Sequence, residues 1–421
     1  MTAGNETAAS AAKYPGGLSR PRFLLTLFLE YFKIALFVVG GGYAILAVAD
    51  NVFGRRLKWL EEGELLDHLP VFQMIPGIIA GNTAVYTGLK LAGYTGALVA
   101  QAAVALPSII IFTAVSMGYN ALPVDNPLVA GVFLGLRSSL VGIIAGTIAS
   151  GWRRNVRGAY GYAAFAVASV ALVMRGAGIL AVLVAAALAG IALEFCGLGD
   201  ARAFDSAGIS AAPVPRRAKI AACAAVAAAL AAITLIYGNL FWIFVKFGLM
   251  SFGGGFVLIP AYTAEFVGPD APALNIPLHE FGNLMALTQM TPGPVSVNSA
   301  TFFGFRFAGI PGALVATAGL FFPSYVLLTT ALTGLDRWKD NRFVRGLLRG
   351  VRPATVAMMV SACLTFSGMS LWSRLPEGGV SVSPLGCAIA AGAIAAMLSR
   401  RVSVMAIIFA SAAVGLAAAA L

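Results

Sequence analysis

Long apolar runs recur from one end of the chain to the other, separated by short polar segments. A helix needs roughly 20 apolar residues to cross the hydrocarbon of a bilayer, and about thirteen runs approach that length. Six precede Cys196, near 24–50, 71–90, 92–118, 127–151, 158–175 and 177–195. A seventh, rich in Ala, lies near 218–237, and six more lie near 240–264, 282–304, 308–333, 343–368, 381–399 and 402–421. None shows the strict alternation of a membrane strand, so the spans are expected to be helices. The polar stretch 196–217, with Asp200, Asp205 and Pro213-Val214-Pro215, divides the chain. The organisation expected is a tail at 1–22, a first membrane repeat at 23–195, that linker, a connecting helix at 218–237 and a second repeat at 238–421.

The word repeat is literal. Gln73-Met74-Ile75-Pro76-Gly77 returns as Gln289-Met290-Thr291-Pro292-Gly293, at an offset of 216 residues. The offset holds without a gap through Asn82/Asn298, Gly88/Gly304, Ala92-Gly93/Ala308-Gly309 and Pro107-Ser108/Pro323-Ser324. With thirteen spans, an odd number of helices separates corresponding spans, which turns the second repeat upside down relative to the first. The expected fold class is therefore an all-α polytopic membrane protein of about 13 transmembrane helices in two inverted-topology repeats with broken helices, an arrangement suited to alternating access.

Composition agrees. Apolar residues make up 59% of the chain and charged ones 11%, against about 25% charged in soluble domains, and mean hydropathy is +0.88. The net charge of +11 would suit nucleic acid were it clustered. Instead the cations sit in short loops, among them Arg153, Arg154, Arg157, Arg216, Arg217, Arg400 and Arg401. Lys/Arg bias of this kind places those loops, and the N-terminus, in the cytoplasm. Four scattered cysteines and two isolated histidines point to no disulfide framework, metal centre or cofactor.

Candidate chemistry comes in matched pairs. Each half opens on a glycine triplet, Gly40-Gly41-Gly42 and Gly253-Gly254-Gly255, centred on Gly41 and Gly254. Such a triplet either breaks a span or allows close helix packing. Seven residues before each stands a lysine, Lys33 and Lys246, which attracts an anion, snorkels to an interface or, for Lys33, pairs with Glu30. Arg137 and Arg352 fall inside spans, where guanidinium forks suit oxyanions. Lys90 and Arg306 read as interfacial anchors, Glu64 and Glu280 as water-facing, and Asp50 and Glu265 as solvated helix ends.

Pro76-Gly77 and Pro292-Gly293 are the sharpest pair. Either they kink a helix, or each starts a half-helix whose free N–H groups and positive dipole end face an anion. In the second reading Gln73, Asn82, Gln289 and Asn298 add side-chain donors to the substrate. No repeated His, Cys or carboxylate set suggests an enzyme. A membrane-embedded enzyme acting on a phosphate-containing lipid stands as the alternative, and a channel as a third reading.

These motifs resemble the chromate ion transporter family. The likeness is carried by Phe252-Gly253-Gly254-Gly255, by Thr291-Pro292-Gly293-Pro294-Val295-Ser296-Val297-Asn298-Ser299-Ala300-Thr301-Phe302-Phe303-Gly304 and by Ala308-Gly309-Ile310-Pro311-Gly312-Ala313. It covers both halves, as in a long, two-domain member. The first half departs from the pattern, with Ile78 in place of Pro294 and Val39 in place of Phe252. The resemblance implies transport of chromate, with sulfate as its structural mimic, usually as efflux that gives resistance, in a bacterial inner membrane. The partners expected are the anion and the lipid bilayer, with a homodimer allowed.

Overall fold

The computed structural model describes residues 14–38, 41–119, 123, 126–173, 178–196, 236–252, 255–269, 271–332, 342–374, 379–399 and 401–421. Most of the expected tail, the linker, nearly all of the 218–237 helix, and Gly40, Gly253 and Gly254 lie outside these residues. The described residues form an all-α polytopic membrane protein. In chain order the helices are α1 (Arg20–Phe37), α2 (Gly42–Asp50), α3 (Glu64–Asp67), α4 (Leu69–Met74), α5 (Ile79–Tyr119), α6 (Pro127–Asn155), α7 (Gly158–Val173) and α8 (Ile179–Phe195). They continue as α9 (Leu240–Met250), α10 (Ile259–Phe266), α11 (Leu278–Met290), α12 (Val295–Leu332), α13 (Arg342–Ser370), α14 (Pro384–Ser399) and α15 (Val404–Ala420). A two-stranded antiparallel hairpin, β1 (Trp372–Arg374) and β2 (Val380–Val382), precedes α14.

Four stretches, within α5, α6, α12 and α13, are long and apolar enough to cross a membrane, and α7, α8, α9, α14 and α15 are shorter apolar helices. Val167 on α7 and Leu188 on α8 are 70% and 61% exposed. Side chains of that kind belong against lipid rather than water.

The span expected at 24–50 is interrupted. Phe23, Leu27, Tyr31, Ile34 and Ala35 form the buried stripe of α1 at helical spacing, but the helix stops at Phe37 and restarts as α2 at Gly42. Within α5 and α12 the backbone leaves helical angles at Ala92-Gly93 and Ala308-Gly309. Each is therefore a short leg, 79–91 or 295–307, folded back on a longer one. At 1.5 Å per residue a short leg spans about 20 Å, less than a hydrocarbon layer of about 30 Å.

Small residues hold the legs together. A Cβ at Gly88 would overlap the carbonyl of Gly96, and one at Gly304 that of Gly312. Gly88→Val should lower stability by about 1–3 kcal/mol through overpacking, read as a lower thermal midpoint in detergent. An unchanged midpoint would contradict the close hairpin.

The chain forms two compact units. One takes Met1–Thr113, Phe204–Leu249 and Pro292–Lys339, the other Ala114–Ala203, Met250–Thr291 and Asp340–Leu421. Each draws segments from both sequence halves. In the first unit Gln101 Nε2 donates to Phe321 O at 3.0 Å, and Tyr325 Oη donates to Tyr94 O at 3.2 Å, joining the long legs of α5 and α12. In the second, Gly131 and Gly135 of α6 meet Gly415 and Ser411 of α15, while Gly346 and Gly350 of α13 meet the α8 backbone.

Candidate functional site

The first unit contains two chain corners built to one plan. In the first, α4 ends at Met74 and α5 begins at Ile79. Pro76 has no N–H to continue the helix, and Gly77 adopts φ +131°, a conformation open essentially only to glycine. Asn82, fully buried on the first turn of α5, folds back over the gap. Its Nδ2 donates to Phe72 O at 2.9 Å and to Ile75 O at 3.1 Å. Carbonyls that α4 leaves open at its end are thereby satisfied.

The last glycine of the triplet, Gly42, comes to the same place. A Cβ at Gly42 would lie 3.0 Å from Ile79 Cβ and 3.2 Å from Ala80 N, so only glycine lets α2 start against the first turn of α5. One residue on, the Tyr43 hydroxyl accepts a 2.9 Å hydrogen bond from Gln73 Nε2. Tyr43 is thus part of the corner, which its place beside the triplet alone did not reveal.

The second corner repeats the plan. Gly293 has φ +101°, α12 begins at Val295, and Asn298 Nδ2 donates to Pro292 O at 3.3 Å. Each corner is closed by the other sequence half. A Cβ at Gly77 would overlap Ser324 Oγ, and one at Gly293 would come 2.5 Å from Ser108 Oγ. Both serines are fully buried. Sequence reasoning registered them only as part of the repeat. The available signal was a Pro-Ser pair preserved at the same offset.

This geometry revises one expected role. The amide hydrogens of Asn82, expected on the substrate, are committed to the backbone. What Asn82 presents to the corner is an acceptor: Oδ1 lies 3.1 Å from the Cβ position of Gly77 and has no hydrogen-bond partner among the described residues. Gln289, near the end of α11 in the second unit, is buried, and its Nε2 has no partner among the described residues.

The paired cations differ from one another. Lys33 is 59% exposed and lies 3.5 Å from Glu30, which also takes Arg56, so the local pairing is what forms. Lys246 is half-buried with its ammonium 5.6 Å from the Phe247 ring centroid. In the second unit Arg137 is half-buried on α6, donating Nε–H to Phe133 O at 3.3 Å, with its stem against Gly282 of α11. Arg352 is half-buried on α13.

Three groups expected to face water or an interface do otherwise. Asp50 is buried, and its carboxylate accepts from Gly63 N at 3.2 Å and Leu65 N at 3.0 Å, which orders the start of α3. Glu64 is 7% exposed and accepts 2.6 Å bonds from Lys90 Nζ and Tyr86 Oη. Lys90 is therefore an ion-pair partner rather than a plain anchor. Burial works against the ionised Glu64 carboxyl, but Lys90, Tyr86 and the Glu61 N–H outweigh it and hold its pKa below the usual carboxylate range. A depressed carboxylate stabilises the fold above its unfolded pKa of about 4.3, and that stabilisation is lost as pH falls through the lower folded value. Glu64→Gln should therefore cost roughly 1–3 kcal/mol at neutral pH, towards the lower end because Lys90 is 36% exposed. In thermal unfolding the gap between wild type and variant should shrink below about pH 4. A gap that does not change with pH would refute the pairing.

Among the described residues no group of three His, Cys, Asp or Glu side chains is placed to hold a metal ion. A family model described as Chromate transporter matches residues 25–191 and 238–416. The chain is 26% identical over 359 residues to an uncharacterized transporter of Methanocaldococcus jannaschii, covering 83% of this chain and 86% of that protein. It is 26% identical over 357 residues to a probable chromate transport protein of Synechococcus elongatus, with the same coverage of 83% and 86%. A chromate transport protein of Pseudomonas aeruginosa is 25% identical over 390 residues, which are 90% of this chain and 88% of that one. No solved structure matches.

Proposed function

The chain belongs to the chromate transporter family, and from that premise we propose that it carries chromate, or a related tetrahedral oxyanion such as sulfate, outward across a bacterial inner membrane by alternating access. The observation that carries the reading is the pair of Pro-Gly corners, each ending in a short helical leg and each closed by a serine of the opposite half. Helix N-termini present N–H groups and a positive dipole end to an anion. Two corners that each need both halves suit a substrate handed between conformations of a repeat pair.

In this reading Gly41, Pro76, Gly77, Pro292 and Gly293 shape the cradle, and Gly254 is assigned to the site by its place in the sequence repeat alone. Asn82 and Asn298 brace its helix starts, Gln73 is held by Tyr43 at the first corner, and Gln289 is its counterpart donor by the sequence repeat. Lys246, Arg137 and Arg352 draw the anion in, and Lys33 acts with Glu30 at the surface. The two repeats lie inverted in the membrane, the N-terminus is cytoplasmic, and the chain works alone or as a homodimer. An inside-negative potential favours outward movement of an anion by about 2.3 kcal/mol per charge per 100 mV, so efflux needs no obligatory coupled ion.

Counterflow tests the mechanism. In proteoliposomes loaded with unlabelled chromate, labelled chromate should accumulate transiently against its gradient. Flux that rises linearly with concentration, without counterflow, would indicate a pore. Turnover of a lipid phosphate with no anion flux would favour the enzyme reading.

A further inference from the structure

The Gly77 corner contains two fully buried polar groups with no hydrogen-bond partner among the described residues, Ser324 Oγ and Asn82 Oδ1. Both lie against Gly77, and Ser324 Oγ also lies 3.7 Å from the Cβ position of Gly81. Beside them is the first turn of α5, whose opening N–H groups have no partner within their helix. Burying a hydroxyl and an amide oxygen unpaired costs about 1–3 kcal/mol each, which nothing in the packing of the corner requires. The orientation of Asn82 is fixed, because turning its amide over would set the oxygen against two carbonyls, Phe72 O and Ile75 O. The corner therefore offers donors from Ser324 and the helix start, and one acceptor from Asn82.

We propose that Ser324 and Asn82 Oδ1 bind the transported oxyanion directly, and that together they select an oxyanion carrying one proton. This rests on the oxyanion-transport reading above. A fully ionised oxyanion brings only acceptors and would set a negative oxygen against Asn82 Oδ1. A singly protonated one fills the corner without conflict: its O–H donates to Asn82 Oδ1, and its other oxygens accept from Ser324 and the helix N-terminus. Ser108 supplies the matching donor at Gly293.

The elements at the corner carry no free acid to deliver the proton. α4, α5 and α12 contain no carboxylate, and their only cations are Lys90, paired with Glu64, and Arg306. The one acid of α2, Asp50, is held by Gly63 and Leu65. His68, just before α4, has Nδ1 on Glu64 O at 2.7 Å, and its ring lies tilted against that of Tyr86, centroids 4.8 Å apart. It is the one imidazole beside these elements among the described residues, so its replacement serves as the control for the pH trend.

The test is equilibrium binding of labelled chromate and labelled sulfate to the purified full chain, from acid to alkaline of neutral pH. Chromate takes up a proton in that range and sulfate does not. Wild type should bind chromate more tightly as pH falls and sulfate at least about tenfold more weakly throughout. Ser324→Ala should weaken chromate binding by about tenfold or more, the equivalent of about 1.4 kcal/mol, while its ligand-free thermal midpoint stays equal or rises, since an unpaired buried hydroxyl has been removed. Ser324→Cys, of similar size, should show the same loss of binding. The pH trend should survive His68→Gln. Wild-type affinity in both Ser324 variants, equal competition by sulfate at every pH, or loss of the trend in His68→Gln would overturn the proposal. If wild type transports chromate and the serine variants match it, only this inference falls. If wild type neither binds nor transports an oxyanion, the reading beneath it falls too.

Discussion

Gly77→Ala should reduce oxyanion flux by about 100-fold or more, the loss expected when a binding geometry is displaced by an ångström or so, while the protein still inserts and purifies. Two effects combine. Alanine at φ +131° carries about 1–3 kcal/mol of backbone strain, and its methyl group would occupy the place of Ser324 Oγ. The backbone can relax only by moving the start of α5 away from the long leg of α12, which opens the corner. Gly293→Ala should behave in parallel, because φ is +101° there and Ser108 Oγ stands 2.5 Å from the new carbon. Flux in proteoliposomes, set beside thermal midpoints, separates lost function from lost fold. Wild-type flux in either variant would remove that corner from the site.

The asparagine variants should be at least as severe. Asn298→Ala should abolish measurable flux in a protein that remains folded and inserted. Asn82→Ala should do the same and also lower stability by about 1–3 kcal/mol, since Phe72 O and Ile75 O lose the donors that cap α4. Asn82→Asp is the informative contrast. It keeps size and shape but sets a carboxylate against those two carbonyls, so it should be less stable than Asn82→Ala. If Asn82→Asp were as stable as wild type, the capping role would be refuted. Normal flux in well-expressed Asn298→Ala would show that the second corner is not used.

The breaks in the helices were legible in the sequence because they are made by local chemistry. Proline lacks a donor wherever it stands, and glycine alone reaches φ values such as those of Gly77 and Gly293. The stop between Phe37 and Gly42 and the gap between Met74 and Ile79 follow from those residues. The backward folds at Ala92-Gly93 and Ala308-Gly309 fall at the boundaries between expected spans.

What could not be read were partners. Ser324 closes a corner at Gly77, far away along the chain, and nothing local to either residue announces it. Asp50 and Glu64 look like solvated acids in one dimension. They are buried because Gly63 N, Leu65 N, Lys90 and Tyr86 converge on them. Asn82 was recognisable as a polar residue in an apolar run, but which way its amide points depends on the carbonyls that α4 leaves open. The compact units likewise cut across the sequence halves, since packing follows contacts between legs and not chain order.

Transport of an oxyanion is settled by chromate flux in proteoliposomes containing only this chain, under an imposed membrane potential of either sign. Saturable flux should run towards the positive side, reverse when the potential is reversed, and fall about 100-fold or more in Gly77→Ala. No flux at either polarity, from protein shown to be folded and inserted, would contradict it.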